Sequence, residues 1–159
     1  MYQSIINIAS GIVISISFGP IIPLVIRQDG ATIMRMIYYY PAPIQENAKS
    51  ASGIRPRRML EAFKNIGYTV DCVTGYSKER NEAIKIVKEN VKRNIKYDFA
   101  YGEDTTLPFA MNDPWHLPLY PFMDYSFWAW MKSNNIPFGC FYRDMYWRFP
   151  EYRKGIDFH

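Results

Sequence analysis

The chain has 159 residues, of which 48% are hydrophobic and 21% are charged, and its formal net charge is +4. This length suits one domain with its own core, and the composition excludes an intrinsically disordered chain. The positive charge is small and no block of lysines and arginines resembles a nucleic-acid-binding arm, so no nucleic-acid partner is expected.

The first segment, residues 1–33, differs in composition from the remainder. Its stretch Ile5–Ile26 carries no charge and is long enough to cross a bilayer, for which about 20 apolar residues suffice. Pro20, Pro23 and the lack of a preceding basic residue argue against an anchor or a signal peptide. Three interpretations stay open: an extraneous segment, a membrane-associated segment, or an extra packed element. We expect the remainder to fold without it.

From Met34 onwards, segments with strand character alternate with segments of helical periodicity. The strands are predicted near Met36–Tyr40, Thr69–Thr74, Asp98–Tyr101 (with Tyr97 included and Gly102 as its end) and Phe138–Tyr142. A first helix is predicted with Pro56 in its first turn and Gly67 just beyond its end, a second follows Ser77 as N-cap, and a third covers Phe122–Ser133. The apolar faces of the first two are predicted to contain Met59, Leu60, Phe63 and Ile66, and Ile84, Val87, Val91 and Ile95.

This alternation predicts an α/β fold: residues 34–159 form a Rossmann-like domain, a parallel sheet with helices on both faces. Ligands of such sheets bind beyond the carboxyl ends of the strands. That rule selects the loop from Pro41 to Arg55, the turn at Gly75–Ser77, the loop at Gly102–Thr106, and the pair Arg143-Asp144.

In the first of these loops, Ser52, Gly53 and Arg55 precede a helical pattern. Free amides at a helix N-terminus suit an anion, and Arg55 would reinforce that attraction, so a diphosphate or charged acceptor is one interpretation. The other is a solvated loop in which Ser52 caps the helix. No glycine-rich dinucleotide or P-loop pattern is present, and no nucleotide cofactor is expected.

Acidic residues follow the third predicted strand. Glu103 and Asp104 lie where a general base could take a proton from an acceptor hydroxyl, or where an aspartate could bond nearby loop amides. After the fourth strand, Arg143 could meet a phosphate or form an ion pair with Asp144. His116, beside Trp115 and Pro118, is interpreted as a packed loop residue rather than a base.

Aromatic residues are abundant, at 17% of the chain. Sugar sites and membrane interfaces both use aromatic side chains. Phe127, Trp128 and Met131 fit the buried side of the third helix, whereas Tyr120 and Trp147 are surface candidates for substrate contact. Cys72 and Cys140 lie in strand-like runs without ligand spacing, so they are predicted to be buried free thiols and no metal site is expected.

Several of these stretches resemble the amino-terminal domain of bacterial-type GT-B glycosyltransferases from polysaccharide synthesis. The resemblance runs from about Met36 to about Ile156 and is carried by Ser52–Pro56, Glu61–Phe63, Gly67–Val70, Val73–Tyr76 and Phe141–Pro150. Residues 1–33 have no matching counterpart.

The resemblance implies an enzyme with two domains and an active site in the cleft between them. The carboxyl-terminal domain would hold most of the nucleotide-sugar contacts, and this domain would contribute the side that binds a glycan or lipid-linked acceptor. Because the sequence stops at His159, without the donor-binding domain, it is expected to be inactive alone. The resemblance also implies a cytoplasmic location, and it leaves open whether the chain is in peripheral contact with a membrane. The alternatives are a non-catalytic module that binds a sugar acceptor or partner chain, and a membrane-tethered interaction protein.

Overall fold

The computed structural model describes residues 34–105, 107 and 109–142. The four strands are β1 (Arg35–Tyr40), β2 (Thr69–Thr74), β3 (Phe99–Glu103) and β4 (Phe138–Phe141). The three α-helices are α1 (Ala51–Asn65), α2 (Ser77–Lys92) and α3 (Met123–Ser133), and one 3₁₀ turn, Phe109–Met111, follows β3.

The strands form one sheet in the order β2-β1-β3-β4, and every neighbouring pair is parallel. Arg35 lies opposite Thr69 in β2, Met36 lies opposite Phe99 in β3, and Ala100 lies opposite Phe138 in β4. The parallel sheet expected from the sequence is therefore confirmed. Since each parallel connection needs a crossover, each of the three helices bridges two strands.

Side chains of β1 alternate between two cores, one on each face of the sheet. Met36, Tyr38 and Tyr40 face α1, whereas Ile37 and Tyr39 face α2 and α3. The α1 side is completed by Met59, Leu60, Phe63 and Tyr101, and the other side by Val73, Ile84, Val87, Phe127 and Met131. This Rossmann-like arrangement, with helices on both faces, confirms the predicted fold class.

The first helix begins earlier than the sequence pattern indicates. Its N-cap is Ser50 rather than Ser52, and Pro56 lies inside the helix rather than in its first turn. The predicted end is correct, because Ile66 is the C-cap and Gly67 follows with a φ of 104° that favours glycine. Ile66 was assigned to the buried face, but it is the C-cap residue and is 65% exposed.

The N-cap of α2 also differs from the prediction. Tyr76 occupies the cap position without a side-chain bond, and Ser77 is instead the buried first residue of the helix. Its backbone N–H donates to Asp113 Oδ1 at 2.7 Å. The first turn of α2 is therefore capped by a carboxylate from a distant loop, and not by the serine hydroxyl that the sequence predicts.

The third strand is displaced towards the carboxyl end. It starts at Phe99 and continues through Gly102 to Glu103, so Gly102 does not end it. A side chain at Gly102 would lie 2.9 Å from the ring of Phe138, so glycine permits close packing in mid-strand rather than a turn. Tyr97 precedes the strand and its hydroxyl bonds Asp71.

Both cysteines were predicted to be buried, and both are exposed. Cys72 belongs to β2 and Cys140 belongs to β4, which are the two edge strands of the sheet. Within the described part of the chain each edge strand has a neighbour on one side only, so its side chains are less completely covered than those of β1.

Polar side chains bind β1 to β2 near the amino end of β1. Arg35 Nε and Nη2 donate to the two carboxylate oxygens of Asp71 at 2.9 and 3.0 Å, and Tyr97 and Asn90 add hydrogen bonds. Burial alone would raise the pKa of Asp71, but the hydrogen bonds from Arg35 and Tyr97 outweigh it and hold the pKa below its usual value.

The interpretations of residues 1–33 lie outside the described residues. Within 34–105, 107 and 109–142, no helix is both long and apolar enough to cross a membrane.

Candidate functional site

The strand order locates the crevice where a ligand is expected. From β1 the chain crosses to β2 on one side, and from β3 it crosses to β4 on the other. The direction of winding therefore reverses between β1 and β3, and ligands of such sheets bind outside the carboxyl ends of the strands at this point. Tyr40 ends β1 and Glu103 ends β3, so these two residues border the crevice.

Two of the predicted site residues meet at this edge. Arg55, in the second turn of α1, places its Nε 3.3 Å from Glu103 Oε2. Its guanidinium carbon also lies 3.2 Å from the ring centre of Phe141, the partner of Glu103 in β4. The Arg55 side chain is 25% exposed and that of Glu103 is 1% exposed, so the carboxylate is covered and the guanidinium is partly accessible.

Two tyrosines of the α1 side surround the pair. The Tyr38 hydroxyl lies 2.9 Å from Glu103 Oε1 and 2.9 Å from the carbonyl oxygen of Pro56, its two acceptors. Burial raises the pKa of Tyr38, and the Glu103 carboxylate raises it further. Burial also raises the pKa of Tyr101, followed by Glu103, whereas the guanidinium of Arg55 lowers it. Both phenols therefore stay protonated near neutral pH.

Asp104 lies beside Glu103 but is held by backbone groups. It is 4% exposed, its N–H donates to the carbonyl oxygen of Phe141 at 2.9 Å, and its Oδ1 accepts from the Thr105 amide at 2.8 Å. This is the loop-start contact that was the alternative to a catalytic role.

Ser52 and Gly53 lie in the first turn of α1, one turn before Arg55. The amide of Gly53 is used by the cap, since it donates to the carbonyl oxygen of Ser50 at 3.1 Å and to its Oγ at 3.3 Å. A side chain at Gly53 would stand 2.6 Å from Cβ of Ala48, so glycine is needed there for packing. Ser52 Oγ lies 3.0 Å from Ser50 Oγ.

The remaining predicted residues are not brought to the Arg55–Glu103 pair. Tyr120 is a surface residue, 46% exposed, in the loop before α3. His116 was expected to be packed, but it is exposed, with Nδ1 3.0 Å from the carbonyl oxygen of Met111. Arg143, Asp144 and Trp147 lie outside the described residues. Phe127 and Met131 are buried and Trp128 packs beside them, as predicted.

A second buried arginine was missed by sequence reasoning. Arg80, in the first turn of α2, is fully buried, and Nη1 donates to the carbonyl oxygens of Gly75 and Pro41 at 2.8 and 3.2 Å. Nη2 lies 3.4 Å from both Asp124 Oδ2 and the carbonyl oxygen of Phe109. One side chain thus links the loops that follow β1, β2 and β3.

The binding partners of Arg80 explain why it was overlooked. Asp124, which accepts from Arg80, also accepts from the Tyr39 hydroxyl and is 4% exposed. The only signal in the sequence was an arginine at a position where a capping box has a glutamate. Its carbonyl partners are backbone atoms of distant loops, which no side-chain pattern encodes.

Other features lie away from this edge. A groove of about 520 Å³ lies between α2 and α3, lined by Lys85, Lys88, Lys92, Glu89, Val91, Asn94, Trp130 and Asn134. It lies towards the carboxyl ends of both helices. Among the described residues, no group of three or more histidine, cysteine or acidic side chains is arranged to hold a metal ion.

Comparison of the chain with models of protein families, with curated proteins and with solved structures found no match.

Proposed function

We propose that this chain is the acceptor-side domain of a glycosyltransferase that transfers a sugar from a nucleotide-sugar donor to a glycan or lipid-linked acceptor in envelope or capsular polysaccharide synthesis. The proposal starts from the GT-B resemblance of the sequence. The structural observation that supports the proposal is the position of Arg55. This arginine is partly exposed and is held by Glu103 and Phe141 at the carboxyl edge of a parallel sheet. In this role the domain works in the cytoplasm with a second domain that holds the donor.

Arg55 has the properties of an anion-binding group. Its pair with Glu103 and its stacking on Phe141 fix the guanidinium before a ligand arrives, which lowers the entropy lost on binding. Within the described part of the chain, the hydroxyl of Tyr101 is a buried atom without a hydrogen-bond partner, and the Nε of Arg55 faces Glu103 Oε2 at 3.3 Å outside hydrogen-bond geometry. Such atoms are rare in folded proteins, and a polar ligand or an ordered water would satisfy them. A phosphate or carboxylate of the acceptor is the class of ligand that fits.

Glu103 supports Arg55 in this proposal rather than acting on the acceptor directly. A general base has to come within hydrogen-bond reach of the proton that it removes. Glu103 is 1% exposed and already accepts from Tyr38, and Asp104 is 4% exposed and accepts from Thr105. Proton removal by either carboxylate stays a prediction, and it requires this edge to open.

The second candidate is a non-catalytic module that binds an acceptor or a partner chain. The burial of Glu103 and Asp104 favours it, because a binding module needs Arg55 but no accessible base. In both candidates Arg55 is the ligand contact. They differ in whether any sugar transfer follows when a donor-binding domain is present.

The binding experiment uses the full chain and a panel of phosphorylated and uncharged glycan acceptors, measured by isothermal titration calorimetry. Arg55→Ala is expected to weaken binding of the charged acceptors about 10- to 100-fold, since a hydrogen bond to a charged group contributes about 1.5–3 kcal/mol. Arg58→Ala is the matched control, because Arg58 lies on the same helix, is 68% exposed and pairs with Glu61. Equal effects of the two changes would contradict the site.

The transfer experiment separates the two candidates. We expect no sugar transfer by residues 1–159 alone, because in this proposal a separate donor-binding half positions the reactants, and that positioning contributes roughly 7–11 kcal/mol to catalysis. Adding a donor-binding half is expected to restore transfer in the first candidate and not in the second. Robust turnover by the chain alone, lost in Glu103→Ala, would contradict both and indicate a complete small enzyme.

A further inference from the structure

The loop between the 3₁₀ turn and α3, together with the first turn of α3, exposes several large apolar side chains. Trp115 is 81% exposed, Phe122 is 74% exposed and Tyr125 is 70% exposed. We call the full set the aromatic surface: Trp115, Leu117, Leu119, Tyr120, Phe122 and Tyr125. From residue 114 to residue 123 the sequence contains no Asp, Glu, Lys or Arg. Exposed apolar residues that follow one another without a charge between them are candidates for an interaction surface.

Local hydrogen bonds hold this loop in an outward conformation. Buried Asp113 anchors its start, accepting from the Ser77 amide through Oδ1 and from the His116 amide through its carbonyl oxygen. Near its end the carbonyl oxygen of Tyr120 accepts from the Met123 amide at 3.1 Å. Three prolines, at 114, 118 and 121, further restrict the backbone. The apolar side chains therefore stay in solvent instead of folding back onto the core.

The aromatic surface continues along α3 as a stripe at helical spacing. Phe122, Tyr125, Ala129 and Lys132 are all exposed and recur every three or four residues. The opposite side of the helix, with Phe127 and Met131, is buried in the core. The stripe passes from aromatic residues at the start of the helix to a lysine in its last turn.

These properties suit a lipid surface. Large side chains that are 70–81% exposed protrude, so they can enter a fluid layer without a shape-matched pocket. Tryptophan and tyrosine prefer the boundary between headgroups and acyl chains, and a lysine on the same helix reaches the headgroups. The net charge of +4 complements an anionic leaflet.

We propose that the aromatic surface and the exposed stripe of α3 dock the chain on an anionic lipid bilayer. The proposal does not depend on sugar transfer. The loop belongs to the carboxyl edge of the sheet, because the carbonyl oxygen of Phe109, just before it, accepts from the same Arg80 that binds the loops after β1 and β2. Docking would therefore turn the candidate site towards the membrane.

The test is flotation of the full chain with two kinds of vesicle, phosphatidylcholine alone and phosphatidylcholine mixed with phosphatidylglycerol. The double change Trp115→Ser with Phe122→Ser is expected to weaken partition to mixed vesicles about tenfold or more, since two large apolar side chains no longer insert. The matched control is Ile66→Ser with Ile86→Ser, which removes side chains that are 65% and 62% exposed elsewhere. All four changed positions are exposed, so the thermal unfolding midpoints are expected to stay unchanged.

Two further measurements test whether Trp115 inserts into the bilayer and whether Lys132 contacts the headgroups. Lipids with brominated acyl chains are expected to quench the tryptophan fluorescence of the full chain. The quenching is expected to be weaker in a Trp115→Phe variant. Lys132→Gln is expected to reduce the preference for mixed vesicles and leave binding to phosphatidylcholine unchanged. Equal partition of wild type and Trp115→Ser/Phe122→Ser would overturn the proposal, because another segment would then carry any binding. Self-association without lipid that the same double change abolishes would assign the surface to a protein contact and also overturn it.

Discussion

The two arginine–carboxylate pairs at the carboxyl edge differ in their exposure to water. Arg80 and Asp124 have side chains that are 0% and 6% exposed, whereas Arg55 is 25% exposed opposite Glu103 at 1%. A fully covered guanidinium whose donors point at loop carbonyls can only hold structure. A partly exposed guanidinium can also meet a ligand, which is why the candidate site centres on Arg55.

Removing the carboxylate of the first pair is expected to destabilise the fold. Glu103→Ala leaves the guanidinium of Arg55 and the hydroxyl of Tyr38 without their shared acceptor, and we expect a loss of about 2–4 kcal/mol in the free energy of unfolding. Urea denaturation measures this change in the free energy of unfolding. Glu61→Ala, which breaks a partly exposed pair with Arg57 and an exposed pair with Arg58, is the control and is expected to cost less than about 1 kcal/mol. A similar loss in both variants would contradict the role of Glu103.

The second pair allows a test of coupling. Arg80→Met leaves Asp124 as an uncompensated buried charge, and we expect a loss of about 3–5 kcal/mol in the free energy of unfolding. Asp124→Asn alone leaves Arg80 unpaired and is also expected to destabilise. The double variant is expected to lose less than the sum of the single losses, since neither charge is then buried alone. Additive losses in urea denaturation would show that the ion pair is not what links these loops.

Strand β1 is the element that joins both halves of the domain. Its three consecutive tyrosines alternate in direction, so Tyr38 and Tyr40 pack under α1 while Tyr39 packs under α3. The hydroxyls of two of these tyrosines donate hydrogen bonds to carboxylates of other elements. Tyr38 donates to Glu103 at the end of β3, and Tyr39 donates to Asp124 at the start of α3. A strand of this composition is stable only while its phenols are neutral.

The buried tyrosines determine how the free energy of unfolding is expected to change at alkaline pH. Burial raises the pKa of Tyr38, Tyr39, Tyr97 and Tyr101 above the value of about 10 for an exposed phenol. Above that pH the unfolded chain releases protons that the folded chain keeps. The stability contributed by these groups is therefore complete below about pH 10 and is lost as pH rises further.

The measurement is the free energy of unfolding by urea at pH values from about 8 to about 12. We expect a plateau up to about pH 10 and a decline beyond it that is less steep in Tyr38→Phe, since that variant has one fewer coupled phenol. A constant free energy through about pH 11, or a decline of the same slope in the variant, would contradict the assignment.

At the level of the whole molecule, the described residues contain an open four-stranded sheet with β1 and β3 in its interior. The strand order β2-β1-β3-β4 places the most buried strand, β1, between two others, and both cores are built from residues after Met34.

We therefore expect a chain that begins at Met34 to fold. Its thermal unfolding, followed by circular dichroism, is expected to be cooperative, with a midpoint within a few degrees of the full chain, since a change of about 1 kcal/mol shifts the midpoint by roughly 2–8 °C. The full chain under the same conditions is the reference. A molten or insoluble product from the shorter chain, beside a well-folded full chain, would show that residues 1–33 contribute to the fold.

The fold was open to prediction from the sequence because its signals are local. Apolar residues repeated at helical spacing marked α1 and α2, β-prone runs marked the strands, and Gly67 marked the end of a helix. Their alternation was enough to predict a parallel sheet, since connections of this length and type rarely form another architecture. Glu103 and Arg55 could be selected as candidates because residues at carboxyl ends and helix starts lie near ligands in such sheets.

The tertiary structure decided what those residues contact. Glu103 is separated from Arg55 and Tyr38 along the chain, so only the packing of α1 over β1 and β3 determined that the carboxylate is covered and paired. The exposure of Cys72 depended on β2 being an edge strand, which the order of strands along the chain does not specify. The role of Arg80 depended on loop carbonyls, which every sequence contains and which only a folded backbone brings together.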